Sequence, residues 1–312
     1  MGIKGGGKSV VVEKVGQELL DAAWTILDLN GAPNLESAYW VVNKDCRSAY
    51  LQQLEENKIL RGAPHCNCHK QYPILLICPE TKQFDQYSID SYNGFVIKSR
   101  QWYLDYCREN EIYPIEFQNS MIGKKIETNK LPLIEVKYLP EPSLNSSNHV
   151  AFKNLMTDAI LHCRDQGRVL VFNPMLWQRE FAKFKALELI IKMLEEVKNQ
   201  HFLPQPPEIV NPIKAKVRAG SRISKEEKRL LSWQHMGVLI REASDLTAGV
   251  LKVETHSTLT KKALLGFIRR SRHIGCTLVL DTQRPDDVFV GIRDSFSIVL
   301  PRMEFEEEQL TN

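Results

Sequence analysis

The sequence predicts an α/β fold, with a mainly parallel sheet covered by helices on both faces. Two observations carry this. Short apolar runs, "RVLVFNP" (168–174), "MGVLI" (236–240), "CTLVLD" (276–281) and "FSIVL" (296–300), alternate with helical stretches such as "REFAKFKALELIIKMLEEVKNQ" (179–200) and "TLTKKALLGFIRRSRH" (258–273). Strands that read as continuous apolar runs and alternate with helices belong to a parallel sheet buried on both faces. The chain also opens on a glycine-rich stretch, "GIKGGGKSVV" (2–11), followed by a helix and a strand.

Taken in order, "SVVVEKVGQELLDAA" (9–23) reads as a helix with Val11, Val15 and Leu19 near one face, and "WTILDL" (24–29) as a buried strand. Loop, helix and strand form the opening of a βαβ unit whose first strand is missing, so residues 1–34 are read as the start of a core. Residues 35–150 are less regular and are read as an inserted or accessory α+β region. It holds helices at "SAYLQQLEENKIL" (48–60) and "SRQWYLDYCREN" (99–110), strands at "YPILLICPE" (72–80) and "LPLIEVKYL" (131–139), and a linker at "PEPSLNSSN" (140–148). Residues 151–312 hold the remainder of the core. There "VAFKNLMTDAILHCRDQG" (150–167) is a helix with a glycine stop, and "PDDVFVGIRD" (285–294) a further helix. The proline-rich, basic stretch 202–229 is expected to be an exposed loop.

A chain of 312 residues has room for a core and an insertion, and 43% hydrophobic with 25% charged residues suits a globular protein. The net charge of +3 is too small to imply a nucleic-acid partner, so local clusters must make that case. No apolar run reaches the roughly 20 residues of a membrane span, and the N-terminus lacks a signal-peptide pattern. Seven scattered cysteines do not form a secreted disulfide framework. The expected location is cytoplasmic.

Gly2, Ile3, Lys4, Gly5, Gly6, Gly7, Lys8 and Ser9 fit G-x-x-x-x-G-K-[ST] without a gap. Glycines let the backbone wrap a phosphate with its N–H groups inward, and the helix that follows presents its positive end. Lys8 would reach the β- and γ-phosphates of ATP, and the Ser9 hydroxyl would ligate Mg²⁺. The binding set is therefore Gly2, Gly5, Gly6, Gly7, Lys8, Ser9 and Val10; a flexible glycine-rich start is the alternative. Such a site needs acidic help at the end of a second buried strand. "HMGVLIREAS" (235–244) places Glu242 as the water-polarising acid and Arg241 where an aspartate is usual.

With "RRSRHIGCTLVLDTQRPDDV" (269–288), where a basic helix and a glycine lead through a strand into Thr282, Gln283, Arg284 and Pro285, the chain resembles the FtsK/HerA superfamily of DNA-pumping ATPases. The glycine loop at 2–9, "LIREAS" at 239–244 and this stretch follow the family's order. The resemblance implies a RecA-like P-loop NTPase core in residues 151–312 plus about the first thirty. It implies an oligomeric ring, a hexamer, acting on double-stranded DNA, and makes Gln283 a sensor of the γ-phosphate or the attacking water; a backbone-capping glutamine is the plainer role. Arg269, Arg270 and Arg272 become candidates for an arginine finger, although cations at a helix C-terminus also suit its dipole. Arg241 beside a metal would repel Mg²⁺, and a buried cross-strand pair with Asp281 is expected to compensate; a simple surface arginine near the strand's end is the alternative. The alternative function is a nucleotide-binding structural or regulatory subunit that hydrolyses little. A third is an ATPase acting on peptide or membrane-secretion partners.

Two further clusters stand out. His65, Cys66, Cys68 and His69 put four possible zinc ligands in five residues, with Cys46 or Cys78 available to complete a set. C-x-C is tighter than structural zinc spacing, so a Zn²⁺ site and free thiols both remain open. Between 213 and 229, Lys214, Lys216, Arg218, Arg222, Lys225, Lys228 and Arg229 face only Glu226 and Glu227. Such a cluster can bind nucleic-acid phosphates or be a solvated loop.

Overall fold

The computed structural model describes residues 8–29, 40, 72–82, 84, 86, 89–90, 93, 96–109, 111–126, 132–142, 146–172, 176–177, 180–241, 256–271 and 273–282. Within them lie six strands: β1 (Thr25–Leu29), β2 (Ile74–Pro79), β3 (Ile134–Leu139), β4 (Val169–Phe172), β5 (Met236–Ile240) and β6 (Cys276–Leu280). Seven helices accompany them: α1 (Lys8–Asp21), α2 (Arg100–Glu109), α3 (Ser146–Gln166), α4 (Glu180–His201), α5 (Pro207–Arg218), α6 (Lys225–Leu231) and α7 (His256–Ser271). The strands form one open sheet in the order β3-β2-β4-β1-β5-β6, and every pairing is parallel. The α/β architecture is as the alternation of runs requires.

β1 sits inside the sheet because its five residues are buried without exception. It pairs on one side with β4, Ile26 opposite Val169, and on the other with β5, Thr25 opposite Met236. β2 and β3, both from the less regular middle of the chain, extend the same sheet through β4, with Ile74 opposite Val169. Arg168, buried at the start of β4, locks this junction. Its Nη1 donates to the carbonyls of Pro132 at 2.7 Å and Ile74 at 3.3 Å, and its Nε lies 3.1 Å from Glu135 Oε2.

The two faces are packed differently. One carries Leu27, Leu29, Leu170, Phe172, Val238 and Ile240 against α3, α4 and α7, whose Phe152, Met156, Ile190 and Phe267 fill the core. Each such side chain contributes on the order of 1.5–3 kcal/mol by leaving water. The other face carries Ile26, Val169, Val171 and Leu239 with Val12 of α1, Trp40 and Tyr72. α1 docks through Val12, Gly16 and Leu19, whereas Val15, expected inside, is 36% exposed. Two glycines permit the close approach that turns the helix this way. A Cβ on Gly16 would stand 2.4 Å from Trp40 Cη2 and 2.8 Å from Leu239 Cδ1; one on Gly237 would stand 2.9 Å from Ile26 Cδ1 and 3.0 Å from Leu19 Cδ1.

The stretch 202–229 is not a loop: it holds α5 and α6. Its prolines do not prevent this. Pro207 occupies the first turn, where no N–H is needed, and Pro212 removes a single intrahelical bond. Ser224 then starts α6 with a capping box: its hydroxyl accepts from Glu227 N at 3.1 Å, and Glu227 Oε2 accepts from Ser224 N at 2.8 Å. The expected linker at 140–148 likewise gives way to α3 from Ser146 onward.

Candidate nucleotide site

In an open parallel sheet, ligands bind beyond the carboxyl ends of the strands, where loops leave the sheet. Three described element ends that adjoin the sequence motifs lie at that end. α1 runs antiparallel to its strands, with Leu19 over Gly237 and Gly16 over Leu239, so its first residue, Lys8, lies toward the carboxyl ends. β5 ends at Ile240, immediately before Arg241 and Glu242, and β6 ends at Leu280, before Asp281 and Thr282. β5 lies between β1 and β6.

At these ends sits a buried charge cluster. The backbone of Arg241 continues the ladder, its N–H donating to the Leu29 carbonyl at 3.1 Å, and Asp281 N donates to the Ile240 carbonyl at 3.0 Å. Alternation puts Asp28, Arg241 and Asp281 on the face covered by α1. Arg241 Nε donates to Asp28 Oδ1 at 3.0 Å and Oδ2 at 2.9 Å, and Trp40 Nε1 donates to Oδ2 at 2.7 Å. The side chains of Arg241 and Asp28 are 8% and 1% exposed, a depth at which an uncompensated charge is costly.

Arg241 is therefore a buried ion-pair member, and the carboxylate under its Nε is Asp28. Asp281, expected as the partner, stands across the strand pair at the next register position beyond Ile240 and Leu280. Asp28 stands outside the set of site residues that the motifs mark, although a single acid inside an otherwise mainly apolar, fully buried strand is itself a signal, because such a group demands a cationic or hydrogen-bonding partner. With Asp28 held by Arg241 and Trp40, the guanidinium charge is largely neutralised.

The remaining predicted residues distribute as follows. Gly2, Gly5, Gly6 and Gly7, Glu242, Gln283 and Arg272 lie outside the described residues, as do the helix expected at 48–60, the helix at 285–294 and the strand at 296–300. Lys8, Ser9 and Val10 form the first turn of α1. Arg269 and Arg270 are exposed in the last turn of α7, which leads into the start of β6, so they lie at the opposite end of the sheet from Arg241. Arg270 Nε donates to Glu195 Oε2 of α4 at 2.8 Å.

His65, Cys66, Cys68 and His69 also lie outside the described residues, as does Cys46. Among the described residues no group of three or more His, Cys, Asp or Glu side chains gathers as a ligand set. Cys78 is buried within β2, where desolvation pushes its thiol up to about 12 and favours the neutral form over the thiolate that a metal would need. No described helix is long and apolar enough to cross a membrane. No protein-family model matches this chain, and no curated protein matches it.

Proposed function

We propose that the chain is a P-loop ATPase of the FtsK/HerA kind that moves double-stranded DNA, working as a hexameric ring. The observation that supports this reading is the convergence of the start of α1, the end of β5 and the end of β6 at one end of one parallel sheet. ATP would bind through Gly2, Gly5, Gly6, Gly7, Lys8, Ser9 and Val10. Mg²⁺ at Ser9 would neutralise charge on the phosphates. Glu242 would polarise the attacking water and Gln283 would sense the γ-phosphate. Arg269, Arg270 and Arg272 would be available to a neighbouring subunit's site. Phosphoryl transfer needs positioning and electrostatic stabilisation more than covalent chemistry, which a rigid sheet end supplies.

The test is steady-state ATP hydrolysis with and without duplex DNA, beside Lys8→Ala and Glu242→Gln. The motor reading expects turnover that DNA stimulates and that both substitutions abolish.

A second reading draws on one specific observation. Arg241, locked to Asp28, fills the strand end where an acidic metal partner is usual. A nucleotide-binding regulatory subunit with little hydrolysis would tolerate that. It expects Lys8-dependent ATP retention without turnover.

A further inference from the structure

The basic segment lies at the other end of the molecule. α6 leads into the start of β5, and its Arg229 Nη1 donates to the Asp165 carbonyl in the last turn of α3, which itself leads into the start of β4. One residue past α6, the Ser232 hydroxyl donates to the Ala22 carbonyl just before β1, at 2.6 Å. These contacts fasten the base of an α5–α6 hairpin to the amino ends of the strands. A strand of five residues separates it from Arg241 by roughly 16 Å.

The hairpin is also where the chain's positive charge resides. Residues 207–229 hold seven basic side chains against Glu208, Glu226 and Glu227, a net +4, while the whole chain carries +3. The other 289 residues thus sum to −1. Lys216 pairs with Glu227 across the two helices, and that same carboxylate caps α6, so the arms are held in one geometry. Ile213 is the buried anchor of α5. Lys214, Arg218, Arg222, Lys225 and Lys228 are exposed and make no ion pair among the described residues. Lys214 and Arg218, four apart, share a face of α5, and Arg222 follows the Gly220 turn, around which a Cβ would meet nothing within 4 Å.

A pre-ordered set of unpaired cations, spread over two exposed helices and a turn, complements a polyanion with regularly spaced charges. The geometry points to the α5–α6 hairpin as a nucleotide-independent clamp on the phosphate backbone of duplex DNA, at the end of the sheet opposite the candidate nucleotide site. The inference rests on the motor reading only in taking duplex DNA as the polyanion. Binding of this kind is sequence-independent and falls steeply with salt, with a slope of log K against log salt of about −0.9 per phosphate neutralised.

The experiment is fluorescence-anisotropy binding of a 30-base-pair duplex to the full chain without ATP, across a salt series. The triple variant Lys214→Glu, Arg218→Glu, Arg222→Glu should lose at least about tenfold in affinity, and its salt slope should flatten by about 3. A charge-matched triple at the exposed Lys14, Arg100 and Lys124 should retain both. Arg222→Glu alone, at an exposed position two residues past Gly220, should flatten the slope by about 1. Unchanged binding by the hairpin variants, or equal loss in the control triple, overturns the proposal. So does hairpin-dependent binding to phosphatidylserine vesicles with none to DNA. Because ATP is omitted, this readout is independent of turnover: hairpin-dependent DNA binding here, beside no ATP hydrolysis in the separate turnover assay, would sink the motor and leave the clamp standing, and DNA-stimulated turnover that the hairpin variants keep would do the reverse.

Discussion

The Nε of Arg241 donates to both carboxylate oxygens of Asp28, at 3.0 and 2.9 Å, from the end of one strand to the interior of its neighbour. The pair is almost wholly out of water, so removing either partner leaves the other's charge largely uncompensated. Asp28→Ala should therefore destabilise the protein by about 3–5 kcal/mol, the usual cost of leaving one buried charge uncompensated. The double replacement Asp28→Leu with Arg241→Met should recover most of that loss. Urea unfolding of the two variants decides it, and equal destabilisation would show that the ion pair has no energetic unity.

Asp281 offers a second test of the same cluster. It stands beyond Leu280, opposite Arg241, and is itself 8% exposed. A double-mutant cycle with Asp281→Ala and Arg241→Ala should give a coupling energy of about 1 kcal/mol or more, whereas distant residues add within about 0.5 kcal/mol. Additive effects would mean that Asp281 and Arg241 are neighbours without being partners.

Gly16 lies under Trp40. Alanine normally improves a helix interior by about 1 kcal/mol over glycine, yet here its methyl would intrude on an aromatic ring and a leucine. Overpacking of that kind costs about 1–3 kcal/mol, so Gly16→Ala should be net destabilising despite its higher propensity. The thermal midpoint should fall, and Trp40 fluorescence should shift as the ring is displaced. A rise in the midpoint would show that α1 can move away from the sheet freely.

His235 stacks on Trp24, with ring centroids 4.6 Å apart, just before β5. Desolvation, and then the nearby Lys198 ammonium, hold its imidazole below the usual histidine range. The folded protein thus binds fewer protons at this site than the unfolded chain, so stability must rise with pH through the interval below about 6.5 and level off above it. His235→Phe keeps an aromatic stack on Trp24 and should flatten that rise in pH-dependent unfolding. A profile identical to that of the unaltered protein would remove His235 as its source.

Much of the scaffold can be read directly from the residues, for a physical reason: in a sheet covered on both faces, interior strands read as mainly apolar runs such as "ILLIC" or "VLVF". Which runs lie side by side cannot be read the same way. The pairing of Ile26 with Val169 joins residues more than a hundred positions apart, and nothing local in either strand specifies it. The prolines of 202–229 point to a loop, yet Pro206 and Pro207 suit a turn and a first helical turn equally well. The Ser224–Glu227 capping box was the countervailing signal. The acid in "TILDL" announced a buried partner, but identifying Arg241 needed the register of β1 against β5.

The placement of β1 bears on how the protein is made. β1 precedes both of its neighbours, β4 and β5, in the chain, so after Leu29 another 140 residues must be added before Val169 exists to pair with it. At 5–20 residues per second that is roughly 7 to 28 s on the ribosome. β2 and β3, separated by a much shorter stretch, can pair long before β1 finds a neighbour. β5 follows later still, bringing Arg241 to a carboxylate 213 positions earlier in the chain. The middle of the sheet is therefore the part whose assembly is most exposed to chaperones, and variants at Asp28 or Arg241 should reveal themselves as much in the yield of folded protein as in its stability.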